Sequence, residues 1–599
     1  MAAINDTHYD VPAAVEQLRD LADSLCLGPS TASIVDAATE RRIPSIRLNA
    51  GNLVQIGYGA RQRRIWTAET DQTSAIAESI SCDKELTKSL LAACGVPIPE
   101  GSIVRGPTEA WEAAEGIGLP VVVKPRDGNH GRGVSTDLKT RKEVEEAYAI
   151  AANEGSDVMV ERFVPGDEHR LLVVGGRVVA AAKGETAWVV GDGKASIAEL
   201  IDRQLNSDPR RGTTDDVPLG LILLNEDPAV VLELKRQGFT SDSVPEKGRR
   251  VLIQRNGNVA YDVTDQVHPD VDAVVSLAAR VVGLDIAGVD VVAEDISRPL
   301  EEQRGAIVEV NAGPGLHMHL MPADGQPRPV GRAIVDSLFP HGESGRIPIV
   351  GIAGTRGTAL IARLVSWLLQ LTGRHVGLAC RDGLFLDKRQ VEKKDSAHWA
   401  AGQRLLINRS VDAAVFENGP AMILGEGIAY DRCQVGIVTD ADGFEALGEF
   451  DIRSAEQLYH VLRTQVDIVL PEGAAVLNAA DPLVARMAEL CDGEVIFYGL
   501  TPDLPVIQAH RAKGGQALFI REHRIMLATG AVEGPFLELP VLAPGKDETD
   551  ADHAACLLAA VGAAVALDIP VDKIRVGIET FEQERKRPLR SRPRRVANQ

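Results

Sequence analysis

LPVVVKPRDGNHGRGV, residues 119–134, decides how the first half of this chain is read. An apolar run ends in Lys124 and passes at once into a loop with glycines at 128, 131 and 133. A short apolar run bounded by turn residues reads as a buried strand. Glycines let successive backbone N–H groups converge on phosphate oxygens, and a lysine at the strand's end adds a point charge. Taken alone, such a loop reads equally well as a plain turn.

Neighbouring segments lift it above that. Upstream, DKELTKSLLAACG (83–95) reads as a helix closed by Gly95 and Pro97. Downstream, DVMVERFVPGDEHR (157–170) reads as a strand and turn, placing Glu161 and Glu168 where carboxylates can take the adenine amino group and ribose hydroxyls of a nucleotide. AGVDVV (287–292) supplies Asp290, and IVEVNAGPG (307–315) supplies Glu309 and Asn311. Residues two apart on a strand share a face. With Asp290 they form a set of hard oxygen donors of the kind Mg²⁺ prefers. Any one acid reads as a surface carboxylate; the ordered set is far more specific.

Composition bounds the rest. At 599 residues the chain is too long for one core, and about three domains are expected. A net charge of −21 argues against nucleic acid as a partner. No apolar run reaches membrane-spanning length, and the N-terminus MAAINDTHYDVPAA lacks a signal pattern, so a cytoplasmic protein without a membrane partner is expected. Seven cysteines without a CxxC pair read as small buried apolar residues. RKRPLRSRPRR (585–595) reads as a disordered basic tail.

Near residue 340, SLFPHGESGRIPIV has the character of a linker. It delivers GIAGTRGTALIARLV (351–365), a strand, glycine loop and apolar helix in the position of a P-loop. No lysine follows the second glycine, and a P-loop needs that cation for the β and γ phosphates. VDAAVFEN (411–418), QVGIVTD (434–440) and AAVLNAADPLVARMAEL (474–490) continue a strand and helix alternation, predicting a doubly wound, mostly parallel sheet.

The segments GPSTASIVDAATERRIPSIRLNAGNLVQIGYGARQRRI, DKELTKSLL, VVVKPRDGNHGRGV, NSDPRRG, VHPDVD, GLDIAGVDVVAEDISRPL and VEVNAGPGLHMH strongly resemble the ATP-grasp domain of the cyanophycin synthetase family, from about Gly28 to Pro340. The resemblance implies an ATP-grasp fold with ATP and Mg²⁺ as cofactors. It implies Lys84 and Lys124 on ATP phosphates, His130, Gly131, Arg132 and Gly133 in the loop over them, and Glu161, Phe163 and Glu168 at the nucleotide. Asp290, Glu309 and Asn311 are implied on Mg²⁺, and Ser30, Arg170, Arg211 and Arg255 near the peptide carboxylate and its acyl phosphate. Arg170, Lys124 and His130 are the implied catalytic residues.

The second half resembles the Mur-ligase-like domain of the same family, through GRHVGLACRDGLF, RQVEKKD, GIAYDRCQVGIVTD and AAVLNAADPLVARMAEL. Where the family reads Gly-Thr-Asn-Gly-Lys-Thr-Thr, this chain has GTRGTAL (354–360), with Thr358 in the lysine's place. Glu417 is kept from the family's next motif, but Asn418, Gly419 and Pro420 follow it, and the family's Asp-His-Leu appears as Gly443, Phe444 and Glu445. The expected organisation is an N-terminal helical remnant (1–27), an ATP-grasp ligase domain (28–340), an inactive, truncated Mur-ligase-like domain (341–580) and a basic tail (581–599).

These departures point to the family class that polymerises a preformed β-aspartyl dipeptide at the ATP-grasp site, consuming one ATP per dipeptide. Its implied partners are the dipeptide, the growing poly-aspartate-backbone polymer, and further copies of the chain, with a two-fold dimer favoured. RNGNVAYDVTD (255–265) and GETAWVVGDG (184–193) differ from the family near the peptide, so β-Asp-Arg, β-Asp-citrulline and β-Asp-Lys all stand as candidate substrates. A non-processive amino-acid ligase and a regulatory pseudo-synthetase are the alternatives.

Overall fold

The strand Ile286–Ala293 shows how this sequence makes a sheet with two unlike faces. Ala287, Val289, Val291 and Ala293 pack on the helix Pro269–Val282 through Val271, Val275, Ala278 and Ala279, while Asp290 points the other way. That helix begins after His268, whose Nδ1 accepts the Asp270 amide, has Pro269 in its first turn and stops at Gly283 with φ +90°.

In the computed structural model the described residues are 9–126, 133–154, 157–184, 186–212, 217–224, 228–254, 259–539 and 550–586. His130, Gly131, Arg132 and Arg255, and the tail beyond residue 586, lie outside them. The chain divides into two compact units, Met1–Ile56 with Arg63–Ser344, and Gly57–Gln62 with Gly345–Gln599. Gly57–Gln62 thus departs from the expected 28–340 grouping. The Tyr58 amide donates to Gly345 O at 2.8 Å, the Ala60 amide to Val411 O at 2.8 Å and the Tyr58 hydroxyl to Asp431 Oδ1 at 3.1 Å.

Two antiparallel sheets organise the first unit. One has the strand order Val259–Asp262, Arg177–Gly184, Asp167–Val174, Ile286–Ala293, Ala306–Asn311. The other has the order Gly101–Val104, Val158–Arg162, Val121–Pro125, Ser135–Leu138. Helices Pro107–Ile117 and Arg141–Glu154 cover one face of the second sheet through Ala110, Ala114, Val144, Ala147 and Ala151, packed on Val121, Val123, Val158 and Val160. By the period of two, Lys124 and Glu161 fall on the opposite face. The expected N-terminal helix forms over Val11–Leu25, capped by Asp10, with Val11, Val15, Leu18, Leu21 and Leu25 exposed.

The second unit is the doubly wound sheet the alternation predicts. Seven parallel strands run in the order Val376–Cys380, Ala413–Asn418, Ile349–Ala353, Cys433–Val438, Val469–Asn478, Glu494–Tyr498, Gln516–Arg521, with antiparallel hairpin strands added at both edges. One apolar layer is built on helices Thr358–Leu371 and Asp550–Ala566, and a second on the opposite face includes Leu458, Leu462, Val484 and Ile507.

Not every cysteine is buried, as the sequence had suggested. Cys380, Cys433 and Cys556 are, but Cys26, Cys82 and Cys94, each at a helix end, are exposed. Among the described residues no helix is long and apolar enough to cross a membrane.

Candidate active site

Strand register gathers the acids that the sequence leaves scattered. Asp290 stands opposite Arg170 on one neighbouring strand and opposite Glu309 on the other. Glu168 and Asn311 lie two residues along those strands, so all five side chains share a face. At the far end of this face Leu172, Val174, Ala180 and Ile286 are covered by helices Pro29–Glu40 and Val330–Leu338 through Ile34, Ile334 and Val335.

Arg170 grips Asp290 with two bonds, Nε to Oδ1 and Nη2 to Oδ2, the latter at 3.0 Å. Asn311 Nδ2 donates to Asp290 Oδ2 at 3.2 Å, and Lys84 Nζ pairs with Glu309 Oε1 at 3.2 Å. A Cβ at Gly288 would stand 2.8 Å from Pro314 Cβ and 3.2 Å from Arg170 Nη1, so a side chain there would crowd the guanidinium.

Three carboxylates against two cations leave this face short of positive charge. Burial pushes the Glu168 carboxyl up, with Asp290 adding to the effect. Burial likewise raises Asp290; Arg170 opposes the shift and Glu309 reinforces it. Arg170 is held above its usual value, because the attraction of Asp290 outweighs the cost of burial. The donor set of Asp290, Glu309 and Asn311 fits a hard divalent cation, with carboxylate and amide oxygens on one face and a charge deficit for the ion to fill.

On the other sheet the balance is reversed. Glu161 is 2% exposed and takes two ammonium groups, Lys88 Nζ on Oε1 and Lys124 Nζ on Oε2, the second at 3.0 Å. Burial, with Lys124 beside it, lowers Lys88 to about 7. Burial would also lower Lys124, but Glu161 and Glu309 more than offset it. Sequence reasoning put Glu161, with Glu168, at the nucleotide; the structure shows its carboxylate paired with two lysines, as a buried cation needs a partner. It also passed over Lys88, which lies one helical turn after Lys84 on Lys84–Ala93. The spacing of four in DKELTK was the available signal.

Of the expected peptide-side residues, Ser30 and Arg211 bond to backbone. The Ser30 hydroxyl accepts the Leu316 amide at 3.1 Å, fixing the turn that follows Asn311. Arg211 donates to Gly220 O at 2.7 Å, and His317 Nε2 meets Val217 O at 3.0 Å. Phe163 is half-buried, its amide donating to Pro120 O at 3.1 Å. Gly133 turns the chain out of the glycine loop with φ +70°.

In the second unit, Thr358 is 1% exposed and its hydroxyl donates to Glu417 Oε1 at 2.7 Å. Arg381 covers the pair, donating through Nε to Glu417 at 2.6 Å and through Nη2 to Thr358 at 2.8 Å. The position expected to hold a phosphate cation is therefore closed over by an internal ion pair.

Two antiparallel sheets, with Lys124 and Glu161 on one and an Asp, Glu, Asn face on the other, define an ATP-grasp domain. The family model described as an ATP-grasp domain matches residues 77–168. Cyanophycin synthetase of Trichormus variabilis is 38% identical over 577 residues, covering 95% of this chain and 63% of that protein. Cyanophycin synthetase of Synechocystis sp. is 39% identical over 579 residues, covering 95% of this chain and 65% of that protein. The bifunctional glutathione biosynthesis protein GshAB of Clostridium perfringens is 32% identical over 300 residues, 48% of this chain and 38% of its own. The chain belongs to the cyanophycin synthetase family, and it spans a little under two thirds of the length of the two synthetases.

Proposed function

We propose that this protein is an ATP-dependent peptide ligase that extends a poly-aspartate-backbone polymer by preformed β-aspartyl dipeptides, using the first unit alone and one ATP per dipeptide. The observation that carries it is the difference between the units. The first holds three ion-paired groups, Lys84 with Glu309, Lys88 and Lys124 with Glu161, and Arg170 with Asp290, whereas in the second Thr358 and Glu417 are tied under Arg381. Alternating addition of two amino acids calls for two working sites; addition of a ready-made dipeptide needs one.

The chemistry balances in two steps. A C-terminal carboxylate oxygen of the polymer attacks the γ-phosphorus of ATP, the bond to the β-phosphate oxygen breaks, and ADP leaves. The dipeptide's α-amine then attacks the acyl carbon, inorganic phosphate departs, and an amide forms with loss of one proton. Lys84 and Lys124 offset the phosphate charge, and Arg170 faces the carbonyl oxygen as it becomes an oxyanion. Mg²⁺ held by Asp290, Glu309 and Asn311 would supply further charge neutralisation. The proposal includes a cytoplasmic homodimer, whose size light scattering reads directly.

The test is ADP release with ATP, Mg²⁺ and a short primer, comparing β-Asp-Arg, β-Asp-citrulline and β-Asp-Lys with free aspartate plus arginine. Product size is followed by mass spectrometry. A ladder spaced by one dipeptide is expected and names the monomer. Turnover with the free amino acids alone overturns the single-site reading. A single addition identifies a non-processive ligase, and silence with every substrate identifies a regulatory pseudo-synthetase.

A further inference from the structure

The glycine loop of the second unit already holds an anion. Strand Ile349–Ala353 lies between Ala413–Asn418 and Cys433–Val438, where the strand order reverses, the place at which doubly wound sheets bind phosphates. Its pairing with Cys433–Val438 sets Ala353 beside Val438, and so brings Thr439 and Asp440 beside Gly354 and Thr355. Gly354 has φ +128°, and a Cβ on it would stand 2.0 Å from Thr439 Oγ1. Only glycine permits the loop to close so tightly on this neighbour.

Into that loop points the Asp440 carboxylate, 6% exposed as a residue. Its Oδ2 accepts the Thr355 amide at 3.1 Å and the Arg356 amide at 3.0 Å. Oδ1 accepts the Thr355 hydroxyl at 2.6 Å, and Oδ2 also accepts the Thr439 hydroxyl at 2.7 Å. The Asp442 amide adds a weaker bond to Oδ1 at 3.3 Å. Successive backbone amides at the entrance to the 14-residue helix Thr358–Leu371 are the donors a phosphate oxygen would use in such a loop.

We propose that Asp440 is the built-in occupant of this cradle, a contact within the chain that keeps the second unit closed to polyphosphate. Loss of the P-loop lysine removes attraction for a nucleotide; Asp440 removes the vacancy. A second negative group brought to the same amides meets a carboxylate that already satisfies them, and the two anions repel. The inference concerns the second unit alone. It stands whatever dipeptide the first unit uses, and its test reads the second unit's loop and not ADP release.

Hydrogen–deuterium exchange on the full chain reads it locally, in peptides spanning residues 351–360, with inorganic pyrophosphate as the probe. Wild-type amides at Thr355 and Arg356 are expected to be protected and indifferent to pyrophosphate. In Asp440→Ala they exchange faster by roughly tenfold or more, the factor that about 1.4 kcal/mol of lost hydrogen bonding gives. Pyrophosphate then restores the protection. Asp440→Asn, which keeps the size but loses the charge, should show the same pyrophosphate response in smaller degree, and serves if the alanine variant does not fold. Extra protection of the wild type by pyrophosphate overturns the proposal, as does unchanged exchange in both variants or faster exchange that pyrophosphate fails to reverse.

Discussion

The two units treat an anion site in opposite ways. In the first, Lys88 and Lys124 share the single carboxylate of Glu161, a buried cluster with one cation to spare. In the second, Asp440 satisfies the amides of Thr355 and Arg356 from within the chain. Excess buried charge is costly unless something completes it. On the proposed function the first site gains stability from an incoming polyphosphate, whereas the amides of the second are already satisfied. Both halves keep glycine loops; the counter-charge separates them.

Lys124→Ala tests this contrast with the largest effect. It removes the proposed phosphate cation and leaves Glu161 to Lys88 alone, so ADP release should fall by about a hundred- to a thousandfold, the usual cost of deleting one preorganised stabilising group. Arg170→Lys comes next: it keeps the charge but loses the two-pronged grip on Asp290. A fall in kcat of roughly tenfold or more with little change in the KM for ATP is expected from steady-state kinetics, since the proposal sets this group against the developing oxyanion.

Lys88→Met should weaken nucleotide binding by roughly tenfold, a buried charge-assisted bond's worth. It should also flatten a pH dependence. Lys88 titrates at about 7 in the protein without nucleotide, so it is protonated below that pH and neutral above it. A nucleotide anion beside Glu161 and Lys124 favours the protonated form and raises that value. Affinity therefore falls as pH rises through 7 in the wild type, and calorimetry should find this slope missing in the variant. The smallest effect is expected at Thr358→Val, which loses one bond each to Glu417 and Arg381 yet lies in the closed unit. ADP release should stay within about twofold, inside the range of an ordinary surface change. A large loss would show that the second unit turns over nucleotide.

Much of this was legible in the residues. Alternation in IAGVDVVA and in VEVN told which side chains share a face, because a strand's period is local. Strand and helix alternation likewise announced the doubly wound second unit. What pairs with what was not legible: the rung of Arg170, Asp290 and Glu309 depends on register between strands 120 and 19 positions apart, and no local pattern encodes it. Asp440 was hidden for the same reason, ending an ordinary apolar strand 85 positions from the Thr355 it serves. The two lysines on Glu161 were likewise hidden, since its spacing suggests a nucleotide contact and only the fold brings Lys88 and Lys124 to it. Tyr58 joins the second unit through bonds to Gly345 and Asp431, partners far along the chain.

Asp440 also separates the two units thermodynamically. A site filled by a dissociable ligand makes its domain more stable as that ligand accumulates, by about 2.7 kcal/mol at a concentration of about 100 Kd. On the proposed function the first unit is subject to that law, and its resistance to unfolding should rise with nucleotide concentration. A carboxylate carried on the same chain has no concentration to vary and cannot be diluted away. With Asp440 as the proposed occupant of its loop, the second unit should keep the same stability at any nucleotide concentration.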